Sequence, residues 1–265
     1  MTVIPLDIID NILSFLQLEH DSLISCLKAY PHLSNLVKPH FFLHIGLCNF
    51  CPSSQPVNFF SHSKLYNILS TEPHIVNYIR TLCIELRGPE NNETRAEAYR
   101  ETSLVLTSLP LLHKIVLYPN IKKPLTWDDL DDSFNIALRK CLQLPTLKRV
   151  TVVISPFPVD ILDHFHSLDE LSLICDINPF YSLSKRPLIL DTLRVYRRDE
   201  SYRILFWALF GCNIRSLVFI GGCEYDFVTL QQIPFKTLKE LTLDLSSACK
   251  FIFLFFLIET DDFMS

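Results

Sequence analysis

The sequence predicts an α/β chain in which three short N-terminal helices lead into an irregular solenoid with a parallel sheet of about seven strands. Three observations carry that prediction. The pattern apolar-x-x-apolar-x-apolar occurs seven times between residues 79 and 243. Its copies return at short intervals, as stacked units do. Ahead of them, residues 4–16 carry more apolar surface than a helix hides beneath its own domain, where a stripe somewhat wider than about 100° suffices.

In that first run Asp7, Asp10, Asn11 and Ser14 fall at helical spacing and form one narrow polar stripe, leaving the rest of the barrel hydrophobic. Two apolar surfaces follow, one for the chain's own core and one for another protein. Pro5 suits a helix start, and Asp7 lies in the first turn, where the helix dipole favours it. Asp21 is placed to cap a second helix over residues 22–30, Pro31 stops that helix or opens the next, and Leu33, Leu36 and Val37 supply a third apolar face before Pro39.

This stretch, about residues 3–43, resembles an F-box, the helical module that docks on the Skp adaptor of cullin-RING ubiquitin ligases. Ile4-Pro5 and Asp7-Ile8 match the opening, Ile12-Leu13 and Phe15-Leu16 the following helix, Leu23 and Cys26 the next, and Phe41-Phe42 the exit. In place of the tryptophan that usually follows the cysteine, the nearest bulky residues are Tyr30 and Leu33. The resemblance implies that Pro5, Ile8, Ile9, Ile12, Leu13, Leu16 and Leu23 share adaptor-docking and helical-core roles. The alternative is an N-terminal helical cap that only covers the first repeat.

The repeat anchors are Ile79, Leu82 and Ile84; Leu112, Ile115 and Leu117; Leu147, Val150 and Val152; Leu168, Leu171 and Leu173; Leu190, Leu193 and Val195; Ile214, Leu217 and Phe219; Leu238, Leu241 and Leu243. Between middle anchors the intervals are 33, 35, 21, 22, 24 and 24 residues. The last four fall within the ~20–29-residue period of leucine-rich repeats, which these units resemble: a short strand, a connector, the next strand. The two longer intervals hold helices over residues 95–106 and 130–142. Asp128, Asp129, Asp131 and Asp132 gather at the start of the second, without the ligand spacing or turn glycine of a calcium loop, as a solvated helix N-terminus. The Asn or Cys that usually follows the strand is matched only by Asn120; Ser155, Asp176, Arg198, Gly222 and Ser246 hold the other positions, so the turns are expected to be irregular.

Between the two parts, Leu65-Tyr66-Asn67-Ile68-Leu69 and Pro73-His74-Ile75-Val76-Asn77-Tyr78-Ile79-Arg80-Thr81-Leu82 resemble the joint between F-box and repeats in F-box proteins of mushroom-forming fungi. The domains expected are an F-box-like unit over residues 1–46, linking helices over 47–78 and a leucine-rich-repeat-like solenoid over 79–265. Residues 51–56 are the expected flexible point. Another anchor is due near residue 265, so the aromatic run at 251–258 is either a makeshift cap or the sign of a truncated product.

Composition narrows the function. A net charge of −5 and a pI near 6.0 offer nothing to nucleic acid. Nine scattered cysteines fit a reducing compartment. Cys48 and Cys51 form a CxxC near His40 and His44, but no second pair stands at zinc spacing, so no metal is expected. The N-terminus lacks a signal peptide's positive region, and the eight-residue run at 251–258 is far below the roughly 20 needed to span a bilayer. A cytoplasmic or nuclear protein without a membrane partner is expected. No GxGxxG, P-loop, GxSxG or HExxH occurs, and nothing places a nucleophile or oxyanion site around Asp163, His164 and His166, so neither catalytic residue nor cofactor is expected.

Recognition remains. Residues alternating with the strand anchors point out of the core, and the row after each last anchor reads Glu85, Tyr118, Val153, Ile174, Tyr196, Ile220 and Asp244. Seven strands at ~4.8 Å give a ladder of about 29 Å. Tyr118, Val153, Ile174, Tyr196 and Ile220, together with Arg194, are the expected target contacts; the competing expectation is that connectors or the tail cover them. Arg194, Arg197 and Arg198 form a local basic patch suited to an acidic or phosphorylated segment, or simply to solvated strand edges. The resemblance implies a substrate-recruiting subunit of a Skp-cullin-F-box ubiquitin ligase, with an unknown protein target. The alternative is a repeat scaffold acting outside ubiquitination.

Overall fold

The computed structural model describes residues 4–17, 19–47, 58–86, 92–119, 127–153, 161, 164–165, 167–173, 188–196, 212–220 and 238–244. Cys48 and Cys51, the 51–56 segment, Asn120, Ser155, Asp163, His166, Ile174, Asp176, Arg197, Arg198, Gly222, Ser246 and the 251–258 run lie outside the described residues.

Helices α1 (Leu6–Phe15), α2 (His20–Ala29) and α3 (Ser34–Phe41) open the chain, with a 3-10 turn at Pro31–Leu33 between the last two. Pro5 stands at the N-cap of α1, and its carbonyl accepts from Ile8 and Ile9 N–H at 3.2 and 3.3 Å. Two local expectations are corrected. Helix α2 begins two residues early, so Asp21 lies in its first turn; the Glu19 carboxylate instead accepts the Ser22 hydroxyl at 3.0 Å. Helix α3 also continues through Pro39, because Val37 and Phe41 are buried on either side of it. Packing here outweighs the proline's cost.

The chain is mixed α/β with a parallel sheet, and the sheet is larger than the repeats alone predict. Among the described residues its nine strands are β1 (His44–Leu47), β2 (Asn58–Phe60), β3 (Thr81–Leu86), β4 (Lys114–Pro119), β5 (Arg149–Val152), β6 (Leu168–Leu173), β7 (Leu188–Tyr196), β8 (Cys212–Ile220) and β9 (Glu240–Asp244), in the order β2-β1-β3-β4-β5-β6-β7-β8-β9. From β1 the chain steps out to β2, then returns through helix α4 (His62–Thr71) and the turn Pro73–Asn77 to place β3 on the other side of β1. Strands β1 and β2 precede the seven copies; β1 carries the same spacing in Phe42, Ile45 and Leu47, an eighth copy, whereas β2 puts Asn58 on the anchor row.

From β3 onward each strand lies beside the next, and the repeat spacing sets the register. Ile45, Leu82, Ile115, Val150, Leu171, Leu193, Leu217 and Leu241 pair successively across eight strands. Every anchor with a described side chain from Ile79 to Leu217 is at most 4% exposed, and Leu238 is half-buried. Strand starts are stitched by a recurring device in which two successive amides share one carbonyl of the preceding unit. Arg80 and Thr81 N–H bond Leu43 O, those of His113 and Lys114 bond Arg80 O, those of Lys148 and Arg149 bond His113 O, and those of Asp169 and Glu170 bond Lys148 O, all at 2.8–3.1 Å.

Helices α5 (Asn92–Thr107) and α6 (Asp132–Leu142) occupy the two longer intervals, and α5 packs between α4 and α6. His62 on α4 and Thr102 on α5 share a buried hydrogen bond of 2.7 Å, and the Tyr99 and Phe134 rings meet at 5.2 Å between α5 and α6. Asp131 is the N-cap of α6, its carboxylate accepting Ser133 N–H at 2.8 Å. That gives one member of the aspartate cluster a structural role. Tyr99, Val105, Leu106 and Phe134 join the strand anchors and Leu13, Leu23, Val37 and Phe41 in one apolar core. No described helix is long and apolar enough to cross a membrane.

Candidate functional site

Helix α1 divides into three stripes. Leu13 turns inward and is 3% exposed, with Ile9 and Leu16 partly buried beside it against the core. Asp10 lies on the polar stripe and accepts from His40 of α3 at 2.8 Å, while the other ring nitrogen of His40 lies 3.0 Å from the Gln17 amide. These contacts fix how far α1 is rotated. The third stripe, Ile4, Ile8, Ile12 and Phe15, is then 57%, 47%, 52% and 85% exposed. Steps of four and three residues put Ile8, Ile12 and Phe15 on one line along the helix, and Ile4 stands just ahead of its N-cap.

The expected docking residues therefore separate. Pro5, Ile8 and Ile12 are exposed and available to a partner; Ile9 and Leu16 are partly buried; Leu13 and Leu23, at 3% and 0%, are core residues that hold the helices together. The expected set omits Ile4, Leu6 and Phe15, all exposed. Phe15 was within reach of helical spacing alone, since it falls seven residues after Ile8. His20 stacks on Phe41 at 4.8 Å beneath this unit. Behind it Lys38 of α3 bonds Glu72, just before the Pro73–Asn77 turn, and holds that carboxyl below its ordinary range. The helical unit is thus tied to the chain leading into β3.

On the sheet, Glu85 is buried, and Tyr118 and Val153 are half-buried. Tyr196 and Ile220 are paired in register in β7 and β8, and their side chains, like Ile174, lie outside the described residues. Arg194 is engaged already: its Nε lies 2.9 Å from Glu170 Oε1, which also accepts the Ser172 hydroxyl at 3.2 Å. This pairing takes up the charge that an acidic ligand would need.

Two described titratable groups on the sheet are shifted by their surroundings. Burial pushes the Cys83 thiol up to about 11, and burial, then the Lys114 charge, lowers the pKa of His44. Cys141, inside α6, is pushed by burial up to about 12. Thiols so placed are not nucleophilic thiolates at neutral pH. Comparison with protein-family models, with curated proteins and with solved structures returns no match.

Proposed function

We propose that the chain is a substrate-recruiting subunit of a Skp-cullin-F-box ubiquitin ligase, with α1 docking the Skp-type adaptor and the sheet-bearing remainder holding a protein target. The observation that carries the reading is the exposed line Ile8, Ile12 and Phe15, with Ile4 exposed just ahead of it, on a helix whose opposite face is seated in the core. A helix serving only as a cap has no use for it, and an open apolar stripe of this kind marks an interaction site. The F-box resemblance supplies the partner. In this reading the chain contributes proximity and no reacting group, and it acts in the cytoplasm or nucleus.

Fully burying an aliphatic side chain of this size is worth ~1.5–3 kcal/mol. Ile8→Asp and Ile12→Asp are therefore expected to lower adaptor affinity by about tenfold or more each, with circular dichroism and melting temperature unchanged. Leu13→Asp places a charge in the core and is expected to unfold the helical unit. Purified adaptor and isothermal titration read the result. Equal binding by wild type and both exposed-face variants would refute the assignment.

A further inference from the structure

We propose that the starts of β3, β4 and β5 form a docking surface for a short acidic segment of a partner protein. The inference does not depend on adaptor docking. Register makes Thr81, Lys114 and Arg149 direct neighbours, and Arg80, His113 and Lys148 immediately precede them. With strands ~4.8 Å apart, Lys114 and Arg149 stand side by side, and Arg80 and Lys148 lie one residue before the paired positions of β3 and β5. His113 and Arg149 are exposed, and Arg80, Lys114 and Lys148 are half-buried. His44 continues the row beyond Thr81.

None of these four cations forms an ion pair with a described carboxylate. Their polar contacts are neutral: Arg80 Nη1 donates to the carbonyls of Asn77 and Ile79 at 2.7 and 3.2 Å, and Lys148 Nζ donates to Ser167 Oγ at 3.1 Å. Further along the sheet the pattern reverses. Arg194 meets Glu170, and Arg215 meets Asp191 at 3.2 Å. Glu170 is the carboxylate in register with Arg149, yet it is turned toward Arg194.

Lys114 opposite Arg149 is a like-charge cross-strand pair, which opposes folding. Among the described residues no carboxylate is paired with either member of it. An arginine fork beside a lysine suits carboxylates. The patch is bordered by Asp169, Glu170 and Asp191 on β6 and β7. A long polyanion such as RNA, or a charged membrane surface, would run onto these acids, whereas a short run of Glu or Asp ends before them.

The probe is a fluorescent dodecapeptide of serines with four central glutamates, titrated into the full chain at low ionic strength; the same peptide with glutamines is the control. Saturable binding of the Glu peptide alone, weakened by added salt, is expected. Lys114→Glu/Arg149→Glu should lose about tenfold or more in affinity, while Lys28→Glu/Arg100→Glu, on α2 and α5, should bind as wild type. If the reversal unfolds the chain, Lys114→Gln/Arg149→Gln carries the test, with a loss of at least about threefold. Adaptor titration of the same variants should stay at wild-type level, which separates this surface from α1. No binding of the Glu peptide, equal binding by both double variants, or tighter binding of a single-stranded RNA dodecamer or of phosphatidylserine vesicles would overturn the proposal.

Discussion

Asn58 stands on the anchor row of the sheet, paired with Ile45, where the neighbouring strands carry aliphatic residues. It is 4% exposed, and its amide donates to the Phe41 carbonyl at the end of α3. A buried amide is tolerated when it is hydrogen-bonded, and removing one partner strands the other. Asn58→Ala should therefore cost about 1–3 kcal/mol in denaturant unfolding, more than an exposed alanine substitution. At this scale the sequence was only partly legible. Ile12 and Leu13 are adjacent, alike in chemistry and both apolar, yet one is 52% and the other 3% exposed. Only the contacts of α1 with α3, through Asp10 and His40, decide which of them a partner meets.

Among elements, what was readable followed periodicity. The anchor spacing places every strand from β3 to β9, because a strand that buries alternate residues beside its neighbour must repeat them in register. Helices α5 and α6 were legible as the helical segments that fill the two longer intervals. Strand β1 could have been read from the same spacing, in Phe42, Ile45 and Leu47, but β2 could not, since Asn58 opens it on the core row. The tie between α3 and the turn before β3, Lys38 with Glu72, was also invisible, because it joins residues 34 positions apart. Its pH dependence has a definite sign. The folded carboxyl titrates below its ordinary value of 4.5, chiefly through the Lys38 hydrogen bond, so the stabilisation is complete above that pH and is lost as pH falls through the depressed value. Both side chains are partly exposed, so Glu72→Gln should destabilise by at most about 1 kcal/mol at neutral pH. The difference from wild type should vanish in acid, as measured by urea unfolding across the pH range.

For the whole molecule, the successive pairing from Ile45 to Leu241 makes one apolar row through eight strands. Leu171 lies within it, fully buried, with Val150 and Leu193 on either side. Leu171→Ala should cost ~2–5 kcal/mol, whereas Thr242→Ala, exposed on β9, should stay within about 0.5 kcal/mol; chemical denaturation of both variants checks the contrast.

Because paired amides at the starts of β3, β4, β5 and β6 clasp a carbonyl of the unit before, the seat of each of these strands is settled locally. The stretches between middle anchors range from 21 to 35 residues, yet the alignment never slips. Length between strands is thus free to drift, by insertion or deletion, without re-indexing the layers on either side.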